Sequence, residues 1–327
     1  MKIAVIGAGG IAEKAYFPLL LKWPEVEFVS LYSRTQATLD KVAAKWGIEN
    51  TTTDLKAVLD ARPQAAFVVS SNTSHFDICK LLLENGVDVF VEKPLATSSA
   101  QAEELARLAD NHHCVMAVAF NRRFALLYRQ AREIFGGRAV QTALFQKHRP
   151  VSPHVNLFNQ YLDDTIHQID LMRFYCGELQ ALSTHYTLRD GRLTGAVSTA
   201  RTAGSGLVTL VNSLQAGAWQ ESVDLHGEGF SLHVDAFREL RVKYDDHDEV
   251  YGTDRAGKWV PELRERGFEG QVAHFLDCVQ TRQIPLVNAW EAAKTQKLME
   301  DLVLASGDPL SSPENDWDKI DRWGEKP

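Results

Sequence analysis

Short apolar runs at residues 3–6, 27–32, 65–69, 87–91 and 115–119 punctuate the first part of the chain. Between them, residues 11–21, 36–46, 74–84 and 99–112 space their apolar positions as helices do, and a short helical segment begins at 54–59. Strands that alternate with helices in this way predict a mostly parallel, doubly wound sheet. Such a sheet binds ligands in the crevice outside its strand C-termini. The pattern changes from Asn121 onward. A helix over 128–135 stops at Gly136-Gly137, and extended runs follow at 140–147, 182–188, 196–202, 207–213, 221–227 and 230–234. Strands outnumber helices there, which predicts an α+β domain with a large, mostly antiparallel sheet. Gly204-Ser205-Gly206 and Gly227-Glu228-Gly229 read as turns between strands. Amphipathic helices are expected over 268–281 and 288–305, the second returning toward the first domain with Ala292, Leu298 and Leu302 as packing residues.

Composition narrows the picture. With 327 residues the chain is long enough for two domains, and 45% apolar against 24% charged residues marks it as globular. A net charge of -8 argues against a broad nucleic-acid or anionic-membrane surface. No apolar run reaches transmembrane length, and Met1-Lys2 leads directly into the first strand, so a cytoplasmic protein without a signal peptide is expected. Cys79, Cys114, Cys176 and Cys278 are widely spaced and form no CxxC pair, which favours buried thiols over disulfides or zinc.

The first strand ends in Gly7-Ala8-Gly9-Gly10-Ile11-Ala12. A glycine turn between strand and helix aims backbone N–H groups at a phosphate. Gly7 supplies the tight turn, Gly9 leaves room for a pyrophosphate, and Gly10, Ile11 and Ala12 lead into the helix, with Ala12 at the third, small position of the fingerprint. A merely structural glycine turn is the plain alternative. The second strand ends in Tyr32-Ser33-Arg34-Thr35, where a typical NAD site has an acidic residue for the ribose hydroxyls. Ser33 can donate to a 2′-phosphate, and Arg34 can neutralise it or stack on adenine. NADP is therefore favoured over NAD; Arg34 can equally be a solvated loop residue. Ser70 to His75 follows the third long strand, and Ser71, Asn72 and His75 are candidates for the cofactor edge. Thr73 or Ser74 can alternatively cap the next helix, and His75 can alternatively hold local backbone. Glu92-Lys93-Pro94 ends the strand after that. Lys93 can polarise a reacting oxygen or relay a proton, and Glu92 can orient Lys93 or a ribose. Pro94 admits a cis peptide bond.

The second half adds Asp163-Asp164-Thr165-Ile166-His167-Gln168-Ile169-Asp170, read as the start of a helix through Tyr175, with Asp163 or Asp164 alternatively serving only as its cap. Asp163, His167 and Asp170 share a helical face. Asp163 can fix the His167 tautomer, and His167 can then exchange a proton with a substrate hydroxyl. A plain polar helix start is the alternative. One imidazole among carboxylates does not specify a metal, so none is expected. Arg122, Arg123, Lys147, His148, Arg149 and His154 are positioned in sequence to favour an acidic or phosphorylated polyhydroxylated substrate, or else form ion pairs and surface polarity. Asp245-Asp246-His247-Asp248-Glu249 reads as a solvated acidic loop. The division expected is 1–120 for dinucleotide binding, 121–288 for substrate binding and oligomerisation, 289–306 as a returning helix and 307–327 as a tail.

Together, GAGGIA, Glu92-Lys93-Pro94 and the Asp163-to-His167 spacing resemble the glucose–fructose oxidoreductase/inositol dehydrogenase/rhizopine-catabolism (Gfo/Idh/MocA) family over nearly the whole chain. Phe120-Asn121-Arg122-Arg123-Phe124, Lys147-His148-Arg149 and Leu162-Asp163-Asp164 look like its virulence-factor MviM-like branch. The resemblance implies a Rossmann domain and an open-faced sheet domain, with Lys93, Asp163 and His167 beside nicotinamide and substrate. It implies reversible hydride transfer between NAD(P) and a sugar-like or inositol-like alcohol, and raises the expectation of a homodimer. Lys93, Arg122, Arg123, Lys147, His148, Asp163, Asp164 and His167 are the residues expected to face the substrate. Two departures stand out. Ser70-Ser71-Asn72 replaces a Thr-Pro-rich entrance, and Asp164-Thr165 replaces a Gly-containing stretch. A catalytically silent NAD(P)-binding sensor is the alternative function; specific binding without turnover would distinguish it.

Overall fold

The computed structural model describes residues 1–151, 154, 156–252 and 259–310. The chain divides into two compact units. Unit 1 holds Met1–Asn121 and Phe268–Lys294; unit 2 holds Arg122–Gly267 and the chain from Thr295 on.

Unit 1 is built on six strands, β1 (Lys2–Ile6), β2 (Glu27–Tyr32), β3 (Thr51–Thr52), β4 (Ala65–Val68), β5 (Asp88–Val91) and β6 (Met116–Val118). All pair in parallel in the order β3-β2-β1-β4-β5-β6. Every residue of β4 and β5 is buried, as is all of β1 after Lys2. That is why these strands read as unbroken apolar runs: helices cover both faces of a parallel sheet. The connecting helices include Gln36–Trp46, Leu55–Asp60, His75–Glu84 and Ser99–Asn111. Asp54 and Ser98 cap two of them through their side chains. Strand order reverses between β1 and β4, which makes their C-terminal ends the switch point of the sheet.

Three details of unit 1 differ from the sequence pattern. β3 is only two residues long, too short to show a period. The stretch expected as one helix over 11–21 is a π-helical turn, Ala12–Tyr16, followed by a short α-helix, Phe17–Leu20. Pro18 lies at the junction and has no N–H to bond back along an α-helix. The chain also returns to unit 1 at Phe268, ahead of the boundary at 288 read from sequence. The reason is aromatic packing: Phe275, on the helix Phe268–Thr281, meets both Phe67 and Phe90 at 5.5 Å between ring centroids. Those two rings are themselves 4.9 Å apart, and such contacts add about 0.5–1.5 kcal/mol each beyond burial.

Unit 2 carries eight strands, β7 (Thr142–His148), β8 (Leu179–Arg189), β9 (Arg192–Thr202), β10 (Leu207–Ser213), β11 (Gln220–Gly227), β12 (Phe230–Asp235), β13 (Glu239–Tyr244) and β14 (His247–Gly252). Their order is β14-β13-β12-β11-β7-β10-β9-β8, antiparallel except for β7 with β10. Alternation sorts Ala143, Phe145, Val223, Leu225, Leu232 and Val242 into the core. Phe135, on the helix Leu126–Phe135, packs edge-on against Phe230, and Phe145 meets Tyr175 of the helix Ile166–Cys176. The α/β and α+β classes read from the pattern are therefore the observed ones.

The expected acidic loop at 245–249 is instead a hairpin. Asp245 and Asp246 adopt φ of 46° and 57°, the two-residue turn that matches strand twist, and His247 opens β14. Asp190-Gly191 makes the same kind of turn and extends β8 and β9 beyond their expected ends. Gly206 and Gly227 do more than turn the chain. A Cβ on either would sit 2.0 Å from a backbone oxygen, that of Val140 or Ala139. Residues 311–327, most of the expected tail, lie outside the described residues.

Candidate functional site

In unit 1 the candidate residues follow the C-terminal ends of β1, β2, β4 and β5. Gly7 has φ +119°, and its N–H donates to the Tyr32 carbonyl at 2.9 Å. A Cβ there would lie 2.5 Å from the Val69 carbonyl oxygen, so only glycine fits. Gly9 and Gly10 are exposed, and a Cβ on either would meet nothing within 4 Å. The turn thus leaves open space beside its backbone at the start of a helix, which fits a pyrophosphate. Ile11 is half-buried and Ala12 fully buried against the sheet. Ser33 is half-buried and Arg34 exposed, just past β2.

Ser71 is exposed and Asn72 half-buried in a single 3₁₀ turn, Asn72–Ser74. The hydroxyl of Ser74 donates to the Ser71 carbonyl at 2.7 Å and sits 2.7 Å from that of Ser70. His75 is fully buried, with Nδ1 2.8 Å from the Pro94 carbonyl and Nε2 3.2 Å from the Ser70 carbonyl. It therefore holds local backbone. Burial pulls its pKa down, the two carbonyls oppose that, and the nearby Lys93 charge adds to it.

Glu92 is buried and turned inward. Its Oε1 accepts from the Tyr16 hydroxyl at 2.5 Å and its Oε2 from the Lys93 N–H at 3.1 Å. Gln271 donates to the Tyr16 oxygen at 3.3 Å. Burial first, and then the Glu92 charge, hold the Tyr16 phenol well above its ordinary pKa. Lys93 is half-buried at the strand end, and the Lys93–Pro94 peptide is cis. Tyr16 and Gln271 escaped the sequence reading. Their only signal is a polar group on an otherwise apolar helical face.

In unit 2 the helix bearing Asp163 and His167 starts earlier than expected. Asn156, not Asp163 or Asp164, is its cap, accepting from the Asn159 N–H at 2.8 Å. The helix Leu157–Gln160 then widens into a π-helical turn, Tyr161–Thr165, before continuing as Ile166–Cys176. Insertions of this kind recur at functional sites. Asp163 is half-buried, its Oδ2 3.0 Å from Nε2 of the buried His154. His167 is 8% exposed.

Asp164 points the other way, into a buried ion cluster. It receives a two-pronged contact from Arg149, a bond from Gln160 at 3.1 Å, and the Lys147 ammonium at 3.4 Å. Lys147 is fully buried and donates to Glu221 at 2.5 Å, while Arg122 grips the same carboxylate at 2.7 and 3.2 Å. Burial pushes the Glu221 carboxyl up, but Arg122 and Lys147 together hold it far below the usual range. Burial likewise pulls Lys147 below its ordinary value, opposed by Asp164 and Glu221. Arg123 makes a paired contact with Asp170 at 2.7 and 2.8 Å, and Thr295 donates to Asp170 at 3.0 Å. His148 bonds the Ser213 N–H at 2.9 Å, and burial lowers its pKa.

The structure thus joins Arg122, Lys147 and Asp164 in one cluster around Glu221 and gives Arg123 a separate partner. Sequence reasoning missed Glu221. The available signal was its inward phase on a period-two strand, in register with Lys147 on β7. Among the described residues no group of three or more His, Cys, Asp or Glu is placed to hold a metal ion, and no helix is long and apolar enough to cross a membrane. The four cysteines are free thiols.

Residues 1–120 match the family described as oxidoreductases with an NAD-binding Rossmann fold. A Salmonella typhimurium protein named as an oxidoreductase, YceM, is 32% identical over 92% of this chain and 97% of its own. The scyllo-inositol 2-dehydrogenase (NAD(+)) of Bacillus subtilis is 22% identical over 89% of this chain and 90% of its own. Among solved structures, a dehydrogenase (MviM) from Clostridium difficile superimposes with a TM-score of 0.84 at 27% identity, covering 93% of this chain and 99% of the other.

Proposed function

This chain belongs to the Gfo/Idh/MocA oxidoreductase family, and from that premise we propose that it transfers hydride between NADP and a ring hydroxyl or carbonyl of a sugar, an inositol or a related polyhydroxylated compound. That the chain is an NAD(P)-binding oxidoreductase acting on alcohol substrates follows from the family itself. The observation that supports a dinucleotide-dependent reaction is that Gly7, Ser70 and Lys93 follow the C-terminal ends of the adjacent strands β1, β4 and β5, beside the switch point of the sheet. The inositol substrate of the Bacillus subtilis relative supports a polyol, and the MviM similarity supports the same branch for this chain.

Gly7 to Ala12, Ser71 and Asn72 would hold the dinucleotide, with Ser33 and Arg34 reading the 2′-phosphate, while Glu92 orients the Lys93 backbone from within. Its nicotinamide supplies the hydride acceptor and donor when bound. Lys93 then orients the reacting oxygen and stabilises its alkoxide character. His167 takes the hydroxyl proton during oxidation and returns it during reduction. Asp163 orients the His167 ring. Arg122, Arg123, Lys147, His148 and Asp164 support the substrate side, three of them through the cluster around Glu221.

The test is turnover with NAD(H) and NADP(H) against inositols, aldoses and sugar acids, followed by pH–rate profiles of Lys93→Ala and His167→Ala. We expect NADP(H) to bind more tightly than NAD(H). Both variants should lose at least about 100-fold in kcat, within the range of proton-transfer catalysis, with cofactor binding retained. Preference for NAD(H) would overturn the role of Ser33 and Arg34. Binding without turnover of any polyol would favour a sensor, and binding of neither dinucleotide would contradict the whole reading.

A further inference from the structure

His75 lies behind the candidate cofactor loops, where its side chain is shut off from solvent. One ring faces two carbonyls from different segments. Nδ1 is 2.8 Å from Pro94 O, one residue past Lys93, and Nε2 is 3.2 Å from Ser70 O, in the loop after β4. The second segment also touches the glycine turn, since a Cβ on Gly7 would lie 2.7 Å from the Ser70 nitrogen. The imidazole therefore packs between the Lys93 loop and the backbone that backs the glycine turn.

We infer that His75 is a positioning residue for Lys93: its bond to the Pro94 carbonyl fixes where the lysine amine stands relative to the cofactor loops. This rests on the oxidoreductase reading above for its catalytic consequence, although not for its geometry.

The two contacts are not equivalent. A neutral imidazole has one N–H to give. Burial lowers the ring's pKa; the two carbonyls oppose it and the adjacent Lys93 charge adds to it, and the net lowering favours the neutral ring. The 2.8 Å contact to Pro94 is the better placed to take that proton; the 3.2 Å contact then sets a bare nitrogen against the Ser70 carbonyl, a packing contact and not a hydrogen bond. The Pro94 arm is then the one that sets Lys93. Substitution can separate the arms, because an asparagine amide reaches where Nδ1 lies and a glutamine amide where Nε2 lies. His75→Asn keeps a donor for Pro94, His75→Gln keeps one for Ser70, and His75→Leu keeps neither.

Two readouts decide the matter: kcat at saturating cofactor, and the labelling rate of the Lys93 amine by an amine-reactive reagent, followed by mass spectrometry. A misplacement of about 1 Å can cost about 100-fold in rate. His75→Leu and His75→Gln should therefore lose about 10- to 100-fold in kcat, with KM changed less than about threefold. Lys93 labelling should change at least about threefold in both. His75→Asn should stay within about threefold of the unsubstituted protein in kcat and label normally. Equal behaviour of Asn and Gln, or normal kcat and labelling in all three, would overturn the inference. If His75→Leu does not fold, the Asn–Gln contrast still decides. If the unsubstituted protein turns over no substrate, the oxidoreductase reading fails and labelling alone decides this one.

Discussion

Glu221 shows what a single side chain can hide. Its position reads as one more polar residue on a strand, yet in the fold it is fully buried between Arg122 and Lys147. Removing one partner of a buried pair leaves the others desolvated without compensation, which costs about 3–5 kcal/mol. Glu221→Gln should lower stability by about that amount in denaturant titrations. The pH dependence has a fixed sign. The folded carboxyl is held below its ordinary value near 4.5, so the unfolded chain binds more protons. Its contribution is complete above that value and is lost as pH falls through the acid range. The unsubstituted protein should therefore lose stability more steeply below pH 4.5 than Glu221→Gln does; parallel curves would contradict the ion-pair account. Other residues were legible without the fold. Gly7 declares its constraint because only glycine suits that turn, and His75 admitted a backbone-holding role from its place alone. Glu221 did not, because its partner lies on a strand far away in sequence.

At the scale of elements, legibility followed period and length. The apolar runs of β1, β4 and β5 read correctly because burial on both faces removes alternation. β13 and β14 did not: both are short and rich in charge, and β14, at the sheet edge, resembles a loop until its partner β13 is known. The π-helical turns at Ala12–Tyr16 and Tyr161–Thr165 have no sequence period of their own; tertiary contacts at Tyr16 and Asp164 accompany them. The start of the second helix depends on Asn156. Asn156→Ala should cost about 1 kcal/mol and raise amide hydrogen exchange through residues 157–165, while leaving exchange in unit 1 unchanged. No change in exchange at 157–165 would show that the cap is dispensable.

For the molecule as a whole, fold class was legible because α/β alternation and a run of strands occupy different stretches of chain. The return at Phe268 was not, because it is decided by which aromatic surface Phe275 fills. One face of the β7–β14 sheet leaves Val197, Leu207 and Val250 more than 40% exposed among polar neighbours. We propose that this face joins two copies of the chain. Val197→Asp should then shift the sedimentation coefficient from dimer to monomer without altering the circular dichroism; a monomer before substitution would remove the proposal. The central claim, hydride transfer to a nicotinamide, is met most directly by isotope. Polyols and sugars deuterated at their ring carbons would be incubated with the protein and NADP or NAD, and the nicotinamide analysed by mass spectrometry. The account predicts one deuterium on the reduced nicotinamide ring for each substrate oxidised, formed at least about 100-fold more slowly in Lys93→Ala. Substrate oxidation with the deuterium released to water, or no labelled nicotinamide from any polyol or sugar, would contradict it.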